Sequence, residues 1–234
     1  LPTTGSGYNY DVDWNNDGVY DQFGITGDVT HDFGTAGTYT IRIKGSFPRI
    51  FFNNSGDKQK ILSIDQWGDI VWASFAYAFW GCSNLGYSAT DSPNLSNVTN
   101  MYFMFRDCST FNGNIGNWNT AAVTNMSSLF AGASAFNQNI GNWNTASVTN
   151  MSFMFIETNA FNQTIGNWNT SAVTNMSNMF GNASAFNQNI GNWNTALVTD
   201  MSYMFAGALV FNQNIGNWNT ASVTDMSFMF REAY

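Results

Sequence analysis

Charge is the first thing this chain of 234 residues lacks: it has only 7 Lys and Arg against 15 Asp and Glu, for a formal net charge of -8. Nucleic-acid binding needs clustered basic side chains to displace counterions from phosphates, and no such cluster occurs, so a nucleic-acid partner is excluded. There is one His and there are two Cys. With no second His and no Cys or Ser set beside it, His31 carries no recognisable nucleophile or base arrangement, and no paired catalytic carboxylates occur, so an enzyme is not expected. No apolar run is long enough to span a bilayer, and residues 1–25 have neither a basic stretch nor an apolar stretch of the signal-peptide kind, so direct membrane insertion is not expected either. Between Phe111 and Phe230 the only charged residues are Glu157, Asp200 and Asp225, which leaves that half to be solubilised by Asn, Ser and Thr and favours hydrogen-bonded partners over electrostatically steered ones.

What is present is a 25-residue phrase written five times almost unchanged, beginning at Phe111, Phe136, Phe161, Phe186 and Phe211 and in its commonest spelling reading FNQNIGNWNTASVTNMSFMF before a short variable tail. A unit of that length cannot bury its own apolar face and must stack on copies of itself, so the chain is expected to form a solenoid. The segments ILSIDQWGDIVWASFAYAFWGCSNL and SPNLSNVTNMYFMFRDCSTF align with the later copies, Phe75, Ala78 and Phe79 taking the places of Met101, Met104 and Phe105. The expected organisation is a small β-strand cap over residues 1–57 and a solenoid over 58–234, with degenerate rungs in 58–110 and five regular repeats in 111–234, about seven rungs in all. Met151, Met154 and Phe155 fall at the spacing of one face of a helical turn, and Ile140 with Trp143 lies in a short extended stretch. The fold class expected is therefore an α/β, leucine-rich-repeat-like solenoid with a short strand and a helical turn per rung. The chain stops where the next Phe-Asn-Gln would begin, so it is expected to be part of a longer protein unless its last rung is covered by end-to-end self-association.

In the cap, GTYTIRIKG alternates Tyr39, Ile41 and Ile43 against Thr40, Arg42 and Lys44, as in a half-buried strand. Ahead of it, Asp13, Asn15, Asp17 and Asp21 place oxygens on alternate residues around Gly18, and with the Val19 carbonyl they could wrap one structural calcium ion. Asn-Asp-Gly is also strong turn chemistry, so an acidic hairpin turn is the other reading. LPTTG at residues 1–5 spells a wall-anchoring signal, which operates near a C-terminus and is taken here as chance or linker.

Cys82 and Cys108 hold equivalent positions in adjacent rungs, a place taken afterwards by Ala133, Thr158, Ala183 and Ala208. Stacked β-rungs are about 4.8 Å apart, within disulfide reach. Two cysteines alone do not decide between a bridge and a pair of buried thiols, and an oxidising setting favours the bridge. The Trp118, Trp143, Trp168, Trp193 and Trp218 column suits a core ladder better than a sugar platform, and the Met126 to Met226 column is likewise core. The Asn117, Asn142, Asn167, Asn192 and Asn217 column is expected to satisfy backbone groups at a bend. Gln138, Gln163, Gln188 and Gln213, with Asn114, Asn139, Asn189 and Asn214, are expected to face solvent and contact ligand.

WNTASVTNMSFMF with FNQNIGN resembles the repeat of the BspA-like leucine-rich-repeat surface proteins, DUF285, over residues 58–234. Residues 1–50 resemble part of a polycystic-kidney-disease-type β domain, and the Asp13–Asp21 loop resembles those of thrombospondin type 3 and dockerin modules. Where an EF-hand has its twelfth-position Glu this chain has Gly24. The repeat resemblance implies a bacterial cell-surface or secreted protein with an adhesive or binding role, its partner a host or neighbouring-cell surface protein or glycan, and it brings no catalytic motif. Two alternatives stand beside adhesion. One is a structural stalk, and the other an ice-binding face built on Thr120, Thr145, Thr170, Thr195 and Thr220.

Overall fold

The computed structural model describes residues 1–233. Three strands form the N-terminal sheet: β1 (Asn9–Asp13), β2 (Gln22–Ile25) and β3 (Arg42–Ser46), antiparallel in the order β2-β1-β3. Tyr10 and Val12 are the inward residues of β1, and Tyr10 meets Phe47 edge-on at 4.9 Å. Gly45 is needed opposite β1, because a Cβ there would lie 2.7 Å from the Asn9 carbonyl. The strand read from GTYTIRIKG begins only at Arg42. Ile41 and Ile43 are half-buried and Arg42 and Lys44 exposed, whereas Tyr39 lies outside the strand against Phe33.

The stack begins with a parallel pair, β4 (Ser63–Ile64) and β5 (Gly86–Tyr87), and continues through single parallel bridges linking Asn100, Asn125, Asn150, Asn175, Asp200 and Asp225 in series. The expected helical turns are absent, and among the described residues there is no helix. The α/β leucine-rich-repeat-like class is thus corrected: little strand is present, and each rung is built mostly of turns.

The backbone hydrogen bonds explain why. From the rung at Met151, the N–H groups of Met151, Phe153, Phe155 and Glu157 donate to the carbonyls of Asn175, Ser177, Met179 and Gly181 in the next rung at 2.8–3.0 Å. Those of Met154, Ile156 and Thr158 donate to Met151, Phe153 and Phe155, three residues back in the same rung, at 3.1–3.3 Å. Alternate amides thus point along the stack and across the turn, and each buried amide finds a partner. A helix would send every one of these amides along its own axis and leave adjacent rungs unlinked. The alternation requires a left-handed residue at the third position of every second turn, as in a type II turn. Those residues form two columns: Tyr77, Phe103, Ser128, Phe153, Asn178, Tyr203 and Phe228, then Gly81, Asp107, Gly132, Glu157, Asn182, Gly207 and Glu232.

Inside, two phenylalanine columns run the length of the regular repeats. Phe105, Phe130, Phe155, Phe180 and Phe205 stack at 5.6–5.9 Å, Phe111, Phe136, Phe161, Phe186 and Phe211 at 6.0 Å, with rings tilted by less than 15°. Each tryptophan from Trp143 to Trp218 is buried, its indole N–H donating to the Ile carbonyl of the preceding rung at 3.0–3.1 Å. In the last rung Met226, Phe228 and Phe230 are exposed.

Candidate functional site: exposed asparagine columns

The glutamines expected to contact ligand are half-buried and hold the rungs together. Gln138, Gln163, Gln188 and Gln213 donate through Nε2 to the side-chain oxygens of Asn112, Asn137, Asn162 and Asn187 at 2.8–3.1 Å, oxygens that also accept the backbone N–H of Asn137, Asn162, Asn187 and Asn212. Asn114, Asn139, Asn189 and Asn214 are exposed as expected, and each accepts the N–H of the glycine two residues on, at 2.9–3.4 Å. Their side-chain NH₂ groups make no hydrogen bond among the described residues.

The column expected to satisfy backbone groups at a bend does not do so. Asn117, Asn142, Asn167, Asn192 and Asn217 are exposed, and their side chains make no hydrogen bond among the described residues. The backbone-satisfying role belongs two residues later, where Asn119, Asn144, Asn169, Asn194 and Asn219 accept the N–H of the residue two ahead at 3.0–3.3 Å. A second such column, Asn125, Asn150, Asn175 and Asp200, accepts both the N–H and the hydroxyl of Ser127, Ser152, Ser177 and Ser202. Beside the free column a glycine in each copy lets the next rung approach. A Cβ on Gly116, Gly141, Gly166 or Gly191 would lie 2.3–2.5 Å from the carbonyl oxygen at the fourth position of the following copy. Two rows of side chains therefore stand on closely apposed backbone, one of asparagine in every regular copy and one of asparagine interrupted by Thr164.

The threonine array is mostly internal. Thr120, Thr145, Thr170 and Thr195 are buried, donating to the carbonyls of Asn144, Asn169, Asn194 and Asn219 at 2.9 Å, and only Thr220 of that column is exposed. A flat, water-facing threonine surface is not formed there.

In the cap, Asp13 is fully buried and gathers the loop after it: one carboxylate oxygen accepts the N–H of Asn15 and Asn16, the other that of Gly18. Burial penalises its charged form, and these hydrogen bonds outweigh that penalty and hold its carboxyl below the usual carboxylate range. Asp17 accepts from Val19 N–H and from the Asn15 amide, and Asp21 from Trp14 N–H. The Val19 side chain is exposed. Among the described residues no three acidic, His or Cys side chains are grouped as a metal ion would need. His31 stacks on Trp14 at 4.7 Å and meets Phe33 edge-on. Cys82 and Cys108 are buried free thiols, and Cys108 donates to the Phe79 carbonyl at 3.0 Å, as the Thr158 hydroxyl, in the same column, does to Phe130.

The family model described as Mycoplasma protein of unknown function, DUF285, matches residues 73–171 and 158–234. The chain belongs to the DUF285 family. Both matched segments consist of stacked rungs, and together they include every exposed asparagine column described above. No curated protein and no solved structure matches the chain.

Proposed function

We propose that the chain is a non-enzymatic adhesion or ligand-binding module of a bacterial cell-surface or secreted protein, presenting a repeated, uncharged hydrogen-bonding surface to a glycan or protein on another cell. One observation carries this reading. Thirteen of the 25 positions are identical in all five regular copies, and twelve of those have an evident task in packing, in joining rungs or in holding a turn within the rung. The thirteenth is the Asn117 column, which is exposed and unbonded within the chain and is kept in every copy. An identical free amide on each rung suits a partner that is itself repetitive, because each added contact is made at high effective concentration.

The test is the triple substitution Asn142→Ala, Asn167→Ala and Asn192→Ala, assayed on glycan and extracellular-matrix arrays in calcium and in chelator. Three lost hydrogen bonds at about 1 kcal/mol each correspond to a loss on the order of 100-fold, with the melting temperature unchanged. Wild-type binding that the triple variant retains in full would refute the role of these amides. Loss of wild-type binding in chelator alone would support a calcium ion at the Asp13–Asp21 loop, and a blank for the wild type would favour a structural stalk.

A further inference from the structure

We infer that Cys82 and Cys108 are an oxidative modification site, closed by a disulfide oxidant into a bridge that staples the two degenerate rungs together. This goes beyond the binding-module reading and does not depend on the Asn117 column.

The backbone brings the two residues together. The N–H groups of Phe75, Tyr77, Phe79 and Gly81 donate to the carbonyls of Asn100, Tyr102, Met104 and Arg106 at 2.8–3.0 Å, so the rung that ends at Cys82 and the rung that ends at Cys108 are stacked in register. Rungs joined in this way lie about 4.8 Å apart, inside the Cα separation of about 4.4–6.8 Å that a disulfide spans. The Cys82 N–H and the Cys108 thiol both donate to the Phe79 carbonyl, each at 3.0 Å. Two donors on one oxygen lie side by side, which sets the Cys108 sulfur against the Cys82 backbone.

Packing does not ask for sulfur at this place. The same column reads Ala133, Thr158, Ala183 and Ala208 in later rungs, all buried, and Thr158 makes with a hydroxyl the bond that Cys108 makes with its thiol. The two sulfurs stand in adjacent rungs where the side-chain joins of the regular copies have not begun. The glutamine-to-asparagine bonds start with Gln138 and Asn112, and the tryptophan-to-isoleucine bonds with Trp143 and Ile115. A covalent bond between the degenerate rungs supplies the joining that those side chains supply later.

The reaction is thiol–disulfide exchange. The thiolate of one cysteine attacks the oxidant's disulfide and releases one thiol; the second thiolate attacks the protein sulfur of that mixed disulfide and releases the other. The protein loses two protons and two electrons, and the oxidant is reduced to two thiols. Burial raises both cysteines above their ordinary range, so the attacking thiolate forms readily only before the stack closes. The bridge is therefore made during folding, and it persists in the oxidising surroundings of a secreted or surface protein.

The test is refolding of the whole chain from urea with oxidised glutathione, beside refolding with a reductant. Intact mass, maleimide labelling in urea and peptide mapping should show that the oxidised product has lost two hydrogen atoms, has no free thiol and joins Cys82 to Cys108. It should melt roughly 5–10 °C above the reduced chain, because the bridge restricts the unfolded state. Cys82→Ala with Cys108→Ala, which places the residue of the later rungs in this column, should fold and melt at one temperature with or without the oxidant. Free thiols, glutathione adducts or bridges between chains in the oxidised product would overturn the inference, as would equal melting temperatures for the oxidised and reduced wild type.

Discussion

The same substitution made twice in identical sequence separates rung contacts from local propensity. Gly166 and Gly216 both sit in the phrase NIGNWN. A Cβ on Gly166 would lie 2.4 Å from the Asn189 carbonyl oxygen and 3.6 Å from its carbon, about an ångström inside normal contact, against backbone held by the rung's own hydrogen bonds. On Gly216 the nearest atom is the Asn214 side-chain oxygen at 3.2 Å, because the described residues include no rung beyond it. Overpacking of this kind costs about 1–3 kcal/mol, and backbone that cannot recede puts Gly166→Ala at the upper end. Gly216→Ala avoids that clash and loses less chain entropy on folding, so its net effect should lie within about 0.5 kcal/mol of zero. For a domain of this size a loss of about 2–3 kcal/mol lowers the melting temperature by roughly 5–10 °C. Thermal unfolding followed by circular dichroism reads the difference directly. Equal melting temperatures for the two variants would show that the close approach between rungs is not what the glycine column serves.

Acid should destabilise the fold. Asp28 is held below the usual carboxylate range by the N–H and hydroxyl of Thr3, Asp65 by Ser63 and Ser88, and Asp225 by Ser227, with Asp13 lowered as described. Groups whose folded pKa is depressed contribute stability that is present above the unfolded value, about 4, and lost as pH falls through the folded values, because the unfolded chain then binds more protons. The melting temperature should therefore fall between pH 6 and pH 3, and a flat or rising profile would contradict the assignment. Burial pushes the Cys82 thiol up to about 12 and, with Cys82 beside it, raises Cys108 well above its ordinary value. Neither should react with a maleimide at pH 8 until urea unfolds the chain, and prompt labelling of the native protein would refute that burial.

The apolar columns were legible because every copy repeats them: Phe136, Ile140, Trp143, Val148, Met151, Met154 and Phe155 are all buried. The local conformation was not. Met151, Met154 and Phe155 have the spacing of a helical face, but chained turns also return every third or fourth residue to one side, so periodicity cannot separate the two over so short a run. The deciding signal lay four residues past Phe153 and its equivalents, where the copies read Gly132, Glu157, Asn182 and Gly207. Gly and Asn recurring there mark a left-handed column, which no helix interior accommodates. The asparagines failed for another reason. Asn117 and Asn119 flank Trp118 with the same side chain, and only the path of the backbone decides which amide turns back to an N–H and which stands free.

The hydrogen bonds also account for why the copies are so nearly identical. Within one rung, Trp168 donates back to Ile140, Thr174 back to Thr149 and Thr170 forward to Asn194, while Gln163 reaches back to Asn137. A rung cannot complete its own polar groups; its neighbours on both sides complete them. Trp118 illustrates the point, since the rung before its own is degenerate and its buried indole N–H has no partner among the described residues. A substitution at a joining position therefore disturbs more than one rung, and stability alone keeps those positions uniform. It exerts no such restraint on a side chain that touches no neighbour. The Asn117 column is uniform without that reason, which is what supports the binding role proposed for it.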